Sequence, residues 1–179
     1  MKTSILIAAT LLVLVLVLPV SAQENMANRD DILKADIYRI VGNHVFYTIY
    51  DAIEVNVDGG VVTLSGYVTE PFKKNSIFKA IKKRTSGEVS INDQVEVLPV
   101  SSSDNRLRYL LARSIYNDSR LLRYSLDRWP YPIHIIVRNG KVTLVGEVKT
   151  KMDSRIIESN VHRVFGIVSL KNNLKISKS

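Results

Sequence analysis

The sequence predicts an α+β fold built from two tandem α-β-β-α-β modules, each a three-stranded mixed sheet with two helices on one face. Three observations lead there: an internal repeat at a constant offset of 80 residues, apolar alternation around glycine-containing turns, and helical apolar stripes flanking each alternating pair. With 179 residues, 46% of them hydrophobic, the chain has room for two small packed cores and is not composed like a disordered polymer.

The N-terminus comes first. Lys2 precedes an apolar run from Ile5 to Leu18, then Pro19-Val20-Ser21-Ala22 and polar Gln23-Glu24. A short basic start, an apolar stretch and a small-residue site describe a secretory signal peptide over residues 1–22, with Val20 and Ala22 at the −3 and −1 positions of the cut. The run is shorter than the roughly 20 apolar residues of a spanning helix. The expected location after cleavage near Ala22 is the periplasm or outside, free or peripheral on a membrane.

The repeat sets Ile53-Glu54-Val55-Asn56-Val57-Asp58-Gly59-Gly60-Val61-Val62-Thr63-Leu64-Ser65-Gly66-Tyr67-Val68 against the stretch Ile133 to Val148. Downstream, Gly87-Glu88-Val89-Ser90-Ile91 matches Gly166-Ile167-Val168-Ser169-Leu170 with one residue deleted. The modules are placed at 28–98 and 104–177, with 99–103 as linker. Each opens with a helical stripe: Leu33, Ile37, Ile40 and Val41, then Leu107, Leu110, Leu111 and Ile115. Ser103 or Asp104 is expected to cap the second of these. Two alternating strands follow, separated by Asp58-Gly59-Gly60 and by Asn139-Gly140, residues that tolerate the positive φ of a hairpin turn. Next comes a helix, with Ile77, Ala80 and Ile81 or Ile157, Val161 and Val164 facing inward. A last strand is expected to turn Val89, Ile91, Val95 and Val97, or Val168, Leu170, Leu174 and Ile176, toward the core.

Six glycines are expected to be structural. Gly60 and Gly140 serve the hairpins, and Gly87 and Gly166 end helices where a left-handed residue is needed. Gly66 and Gly146 lie inside strands, where glycine weakens pairing unless a backbone approaches closely or a bulge is needed.

The string Ile53, Val55, Val57, Gly60, Val62, Thr63, Leu64, Ser65, Gly66, Val68, followed by a helix and Gly-x-Val, resembles the BON module of bacterial osmotically induced and nodulation proteins. The second copy carries it as Ile133, Ile135, Val137, Gly140, Val142, Thr143, Leu144, Gly146 and Val148, with Val145 in place of the serine. Leu170, Asn172, Leu174 and Ile176 meet the family's closing pattern, and the first copy departs there with Asp93 in the asparagine place. The resemblance implies an α/β, non-enzymatic protein associated with phospholipid membranes. A leader plus two modules is similar to the family's periplasmic osmotic-stress member. Its outer-membrane lipoprotein carries a lipid-bearing cysteine, and this chain has no cysteine.

Charge divides the halves. Asp30–Val100 holds 8 Lys or Arg against 10 Asp or Glu, and Asp104–Ser179 holds 15 against 6. Such asymmetry suggests an anionic partner for the second half. Six arginines crowd Arg106–Arg128: Arg106, Arg108, Arg113, Arg120, Arg123 and Arg128. Arg106 and Arg113, seven apart, share a face away from Leu107, Leu111 and Ile115, with Tyr109 and Tyr116 flanking. Copy two holds about six extra residues before its first strand, including Arg128-Trp129-Pro130-Tyr131-Pro132. Guanidinium pairs with phosphate bidentately and amphipathic rings settle at headgroup level. Arg106, Arg113, Arg120, Arg123, Arg128, Trp129 and Tyr131 are therefore the candidate lipid contacts. By resemblance, the same helix carries lipid contacts in the family's lipoprotein. The alternatives are that these arginines form a solvated face or pair with the acidic first module, and that Trp129 is core. A smaller basic run, Lys73 to Arg84, reads as a solvated face.

No catalytic motif, cofactor site or metal-ligand spacing is found. His44, His134 and His162 are far apart, with His134 expected to face solvent and His44 to sit in a turn. Nucleic-acid binding fits the basic half but not the export signal, and the aromatic strings of RNA-binding sheets are missing. The expectation is an exported, non-enzymatic binding protein on an anionic phospholipid surface, in envelope maintenance or osmotic stress. The alternative is a chaperone-like module that binds envelope proteins and no lipid.

Overall fold

The computed structural model describes residues 20–87, 89–127 and 130–177, with side chains from Met26 onward. The leader up to Pro19, and Arg128 and Trp129 of the second loop, lie outside the described residues. The chain runs α1 (Val20–Gly42), β1 (Ala52–Asp58), β2 (Val61–Val68), α2 (Pro71–Arg84) and β3 (Ser90–Val97). It continues with α3 (Ser102–Tyr116), a 3₁₀ turn (Ser119–Tyr124), β4 (Ile133–Arg138), β5 (Lys141–Val148), α4 (Lys151–His162) and β6 (Ser169–Ile176). The fold is α+β, with the α-β-β-α-β order twice.

Each module holds one mixed sheet, ordered β1-β2-β3 and β4-β5-β6. The hairpin pairs are antiparallel, and the strand returning after the helix is parallel, as a helical crossover requires. Register repeats too: Ile53 faces Gly66 as Ile133 faces Gly146.

Both helices of a module cover one face of its sheet. In the first, Ile37 and Val41 of α1 and Ile77 and Ile81 of α2 close on Val55, Val62, Leu64, Val68 and Val95. In the second, Leu107, Leu111 and Ile115 of α3 and Ile157 and Val161 of α4 close on Ile133, Ile135, Val137, Val142, Leu144 and Val148. The last strands are less buried than alternation predicts. Ile91, Leu170 and Leu174 are half-buried, whereas Val97, Val168 and Ile176 are exposed. β3 and β6 are sheet edges, so each has a neighbouring strand on one side only.

The helix caps correct one expectation. Ser101, not Ser103 or Asp104, caps α3, its side chain accepting from the Asp104 amide. Asp104 is buried and accepts instead from the amides of Asn139 (2.7 Å) and Gly140 (2.9 Å), tying α3 to the hairpin turn. Asp30 does the same for Gly59 and Gly60 in the first module (2.8 and 3.0 Å). The Asp30–Asp104 offset is six residues short of the hairpin offset, so the extra residues of copy two lie between α3 and β4.

The modules pack through Ala52, Leu98 and Ile136, with Tyr67 and Val145 against them. The α1–β1 segment threads this junction. Ile49 enters the second module's core, and its carbonyl accepts from the Ile135 amide (2.7 Å). His134 was expected to face solvent. It is drawn into the junction instead, where Nδ1 lies 3.2 Å from the Thr48 carbonyl and its ring packs on Tyr47, 5.3 Å between centroids. Strand alternation cannot foresee a neighbouring module lying over the open face.

Candidate functional site

The second module's arginines sort into three groups once placed. Arg106, Tyr109 and Arg113 form one exposed ridge of α3, at i, i+3 and i+7, opposite the buried Leu107, Leu111 and Ile115. The Arg113 guanidinium lies over the Tyr109 ring, 5.8 Å from its centroid, so cation and aromatic act as one amphipathic unit. Among the described residues, neither Arg106 nor Arg113 pairs with a carboxylate.

Arg120 and Arg123, on the 3₁₀ turn, are exposed but already partnered. Arg120 holds Asp118 through Nε (2.9 Å) and Nη2 (2.6 Å). This fork, with Asn160 donating to the same carboxylate, pulls the Asp118 carboxyl well below the ordinary range. Arg123 stands 3.7 Å from Asp153. Burial pushes the Asp153 carboxyl up, but hydrogen bonds from the Tyr124 hydroxyl and Thr150 outweigh it, and the net shift is downward. Both arginines thus offer a weaker field to an incoming anion than Arg106 and Arg113.

Arg108 and two of the tyrosines belong to the interior. Arg108 is buried, donating to the Val137 carbonyl (2.6 Å) and to Asn105. Its desolvation lowers its pKa. Tyr116, expected to flank the exposed arginines, is buried and donates to the Ile133 carbonyl (2.6 Å). Seven residues keep it near the face of exposed Tyr109, but at the last residue of α3 it is covered by the second core, which helical period does not foresee. Tyr131 is half-buried against the second core. Arg128 and Trp129 lie outside the described residues.

Sequence reasoning passed over exposed apolar residues. Leu122 and Leu126 stand beside the paired arginines, and Met152 starts α4. Met152 occupies the repeat position of Phe72, which meets Phe46 edge to face at 5.2 Å in the first module while both phenylalanines remain exposed. Nothing in the spacing of these apolar residues signals that they are exposed.

The remaining polar groups are structural. Asp51 is fully buried and accepts from the amides and hydroxyls of Thr48 and Thr69 and from Lys73 Nζ (2.8 Å). His44 bonds Ser76 (3.0 Å) in the turn after α1. Among the described residues, no group of three His, Asp or Glu side chains is arranged to hold a metal, and no helix is long and apolar enough to cross a membrane.

Comparison with known proteins bears on both modules. The family profile of the BON domain matches residues 29–99 and 119–178. The second match begins after α3, so the Arg106–Arg113 ridge lies outside it. No curated protein sequence matches the chain. Among solved structures, it is similar to CdsD, a structural protein of the type III secretion system of Chlamydia trachomatis, at 14% identity and a TM-score of 0.32, covering 83% of this chain and 65% of that one. It is also similar to the C-terminal domain of CdsD, at 12% identity and a TM-score of 0.33, covering 83% and 67%.

Proposed function

This chain belongs to the BON-domain family, whose domain is a non-catalytic binding module, and from that premise we propose that it is an exported binding protein of the cell envelope that rests on anionic phospholipid through its second module. The observation that carries the reading is the α3 ridge. Arg106 and Arg113 are exposed with no carboxylate partner among the described residues, and Tyr109 lies between them. Guanidinium groups suit phosphate oxygens, and a tyrosine ring suits the headgroup layer. The N-terminal apolar run, cut after Ala22, would deliver the protein to a compartment where such membranes are exposed. A role in envelope maintenance or osmotic stress follows from the family resemblance alone.

Sedimentation with phosphatidylglycerol and phosphatidylcholine vesicles, at low and high salt, tests this. Each basic residue at an anionic surface contributes on the order of 1 kcal/mol, so Arg106→Gln/Arg113→Gln should weaken phosphatidylglycerol binding about 30-fold. Arg120→Gln, which removes a cation already neutralised by Asp118, should cost much less. Equal binding to both vesicles, or an unaffected double variant, would overturn the reading.

A second reading, a chaperone-like module that binds envelope proteins, is favoured by the exposed Phe46–Phe72 pair of the first module. It predicts partner capture that tolerates salt and falls with Phe46→Ser/Phe72→Ser.

A further inference from the structure

The helix-free faces of the two sheets carry opposite charge at equivalent positions. β1, β2 and β3 contain Glu54, Asp58, Asp93 and Glu96 and no Lys or Arg. β4, β5 and β6 contain Arg138, Lys141, Lys171 and Lys175 against the single acid Glu147. Asp93 turns to the helix side, where it pairs with Lys74 (2.9 Å), so the open face of the first sheet presents Glu54, Asp58 and Glu96. Across the repeat, Asp58 corresponds to Arg138 and Glu96 to Lys175. Two copies of one ancestral face have diverged to opposite sign.

Among the described residues these faces meet within the chain along one end of the first sheet and the β4–β5 side of the second, around Ala52, Tyr67, Leu98, Ile136 and Val145. There one acid of the first sheet meets one base of the second: Arg138 Nη1 lies 2.8 Å from Glu96 Oε2. Glu54, Asp58, Lys171 and Lys175 remain exposed beyond that contact. These charges find no opposite partner on the other sheet within the described residues, but they can find one between two molecules.

We infer that this chain associates with a second copy of itself, the acidic sheet face of each molecule lying on the basic sheet face of the other. Strand rise and spacing give a whole three-stranded face of roughly 350 Å², part of it already covered at the junction, so one pairing buries less than roughly 700 Å², below the ~1,000 Å² of a specific interface. A twofold pair makes the contact twice, up to roughly 1,400 Å² less the area covered at the junction, so the closed dimer is the form that approaches the size of a specific interface. The surfaces are polar, and their attraction is screened within a Debye length of about 10 Å at 0.1 M salt. Salt therefore dissociates the dimer. Were the net charge of +8 in control, salt would promote association instead.

The test is sedimentation velocity of the leader-free protein at low and high salt, alongside two charge-reversed variants. Lys171→Glu/Lys175→Glu makes both faces acidic, and Glu54→Lys/Asp58→Lys makes both basic. The wild type should dimerise at low salt and separate at high salt, and each variant alone should be monomeric. An equimolar mixture of the two variants should recover the dimer, which also shows that both are folded. A monomeric wild type, or a mixture that stays monomeric, overturns the inference. Should Lys171→Glu/Lys175→Glu weaken phosphatidylglycerol binding in a monomeric protein, lipid is the occupant of the basic face and the inference fails. The α3 ridge lies on the helix side of the same module, so vesicle binding and dimerisation can fail separately.

Discussion

Gly66 and Gly146 are the residues where the backbone itself dictates the side chain. Their φ angles are +111° and +128°, and a Cβ would run into the carbonyl oxygen of Ala52 or Pro132. The neighbouring strand is held there by a bond such as Glu147 amide to Pro132 carbonyl (2.9 Å), so it cannot draw back. Gly59, by contrast, has open space around it. Gly66→Ala or Gly146→Ala should cost about 2 kcal/mol or more, read as a lowered urea midpoint, from strain plus backbone collision. Gly87→Ala, with a positive φ but no neighbour within contact, should cost less. Both strand glycines were legible from the repeat. Which carbonyl they admit was not, because strand register joins residues far apart in the chain.

At the scale of elements, the two copies keep their connections while exchanging the chemistry that makes them. The amide following β2, Thr69, is received by Asp51, which is held by Lys73 of α2. The equivalent amide, Lys149, is received by the Tyr124 hydroxyl, which donates to Asp153 of α4. Residues 73 and 153 are repeat partners, one a buried cation and the other a buried anion. The departure of Asp93 from the family's asparagine follows the same logic. Asp93 and Asn172 both accept from the amide two residues on, Val95 and Leu174. The helix position facing them is Lys74 in one copy and Ser154 in the other, suiting an anion and an amide in turn.

The aspartates that tie the first helix of each module to its hairpin turn differ in burial. Asp104 is 2% exposed, whereas the bonds of Asp30 lie at the surface. Asp104→Ala would empty a buried site and leave two part-buried amides without their acceptor, and should cost on the order of 1–2 kcal/mol, while Asp30→Ala, whose amides regain water fully, should cost less. Differential hydrogen exchange at Gly140 and Gly60 would rank the two directly. No periodicity marks these aspartates, since each acts on a turn about 30 residues away. Aligning the copies around their hairpins at a fixed offset also hides their equivalence behind the six-residue insertion.

For the whole molecule, the junction between modules carries a proton-sensitive group. Burial lowers the pKa of His134, with the Thr48 carbonyl bond partly offsetting it. The folded state therefore binds this proton less readily than the unfolded chain, whose histidine titrates near 6.5. Stability contributed by neutral His134 is present above about pH 6.5 and is lost as pH falls below it. His44, also lowered by burial, acts in the same direction. Thermal unfolding at pH 7.5 and 5.5 should show a loss on acidification that is smaller in His134→Gln, with the remainder owed to His44. An unchanged pH dependence in that variant would place the sensitivity elsewhere.

The sequence alone determined the repeat, the order of elements, the inward stripes of the helices, the turn glycines and the uneven charge. Each of these is written in short-range periodicity, in residues with unusual backbone freedom, or in simple composition. Only the tertiary structure decided which charges remain available. Six clustered arginines resolve into the open pair Arg106 and Arg113, the partnered Arg120 and Arg123, the buried Arg108, and Arg128 outside the described residues. It also decided that His134 is covered, that Tyr116 is core, and that the two sheets present opposite faces. Whether a charged side chain meets water, a carboxylate or another module depends on neighbours brought from distant parts of the chain, and helical or strand period carries no record of them.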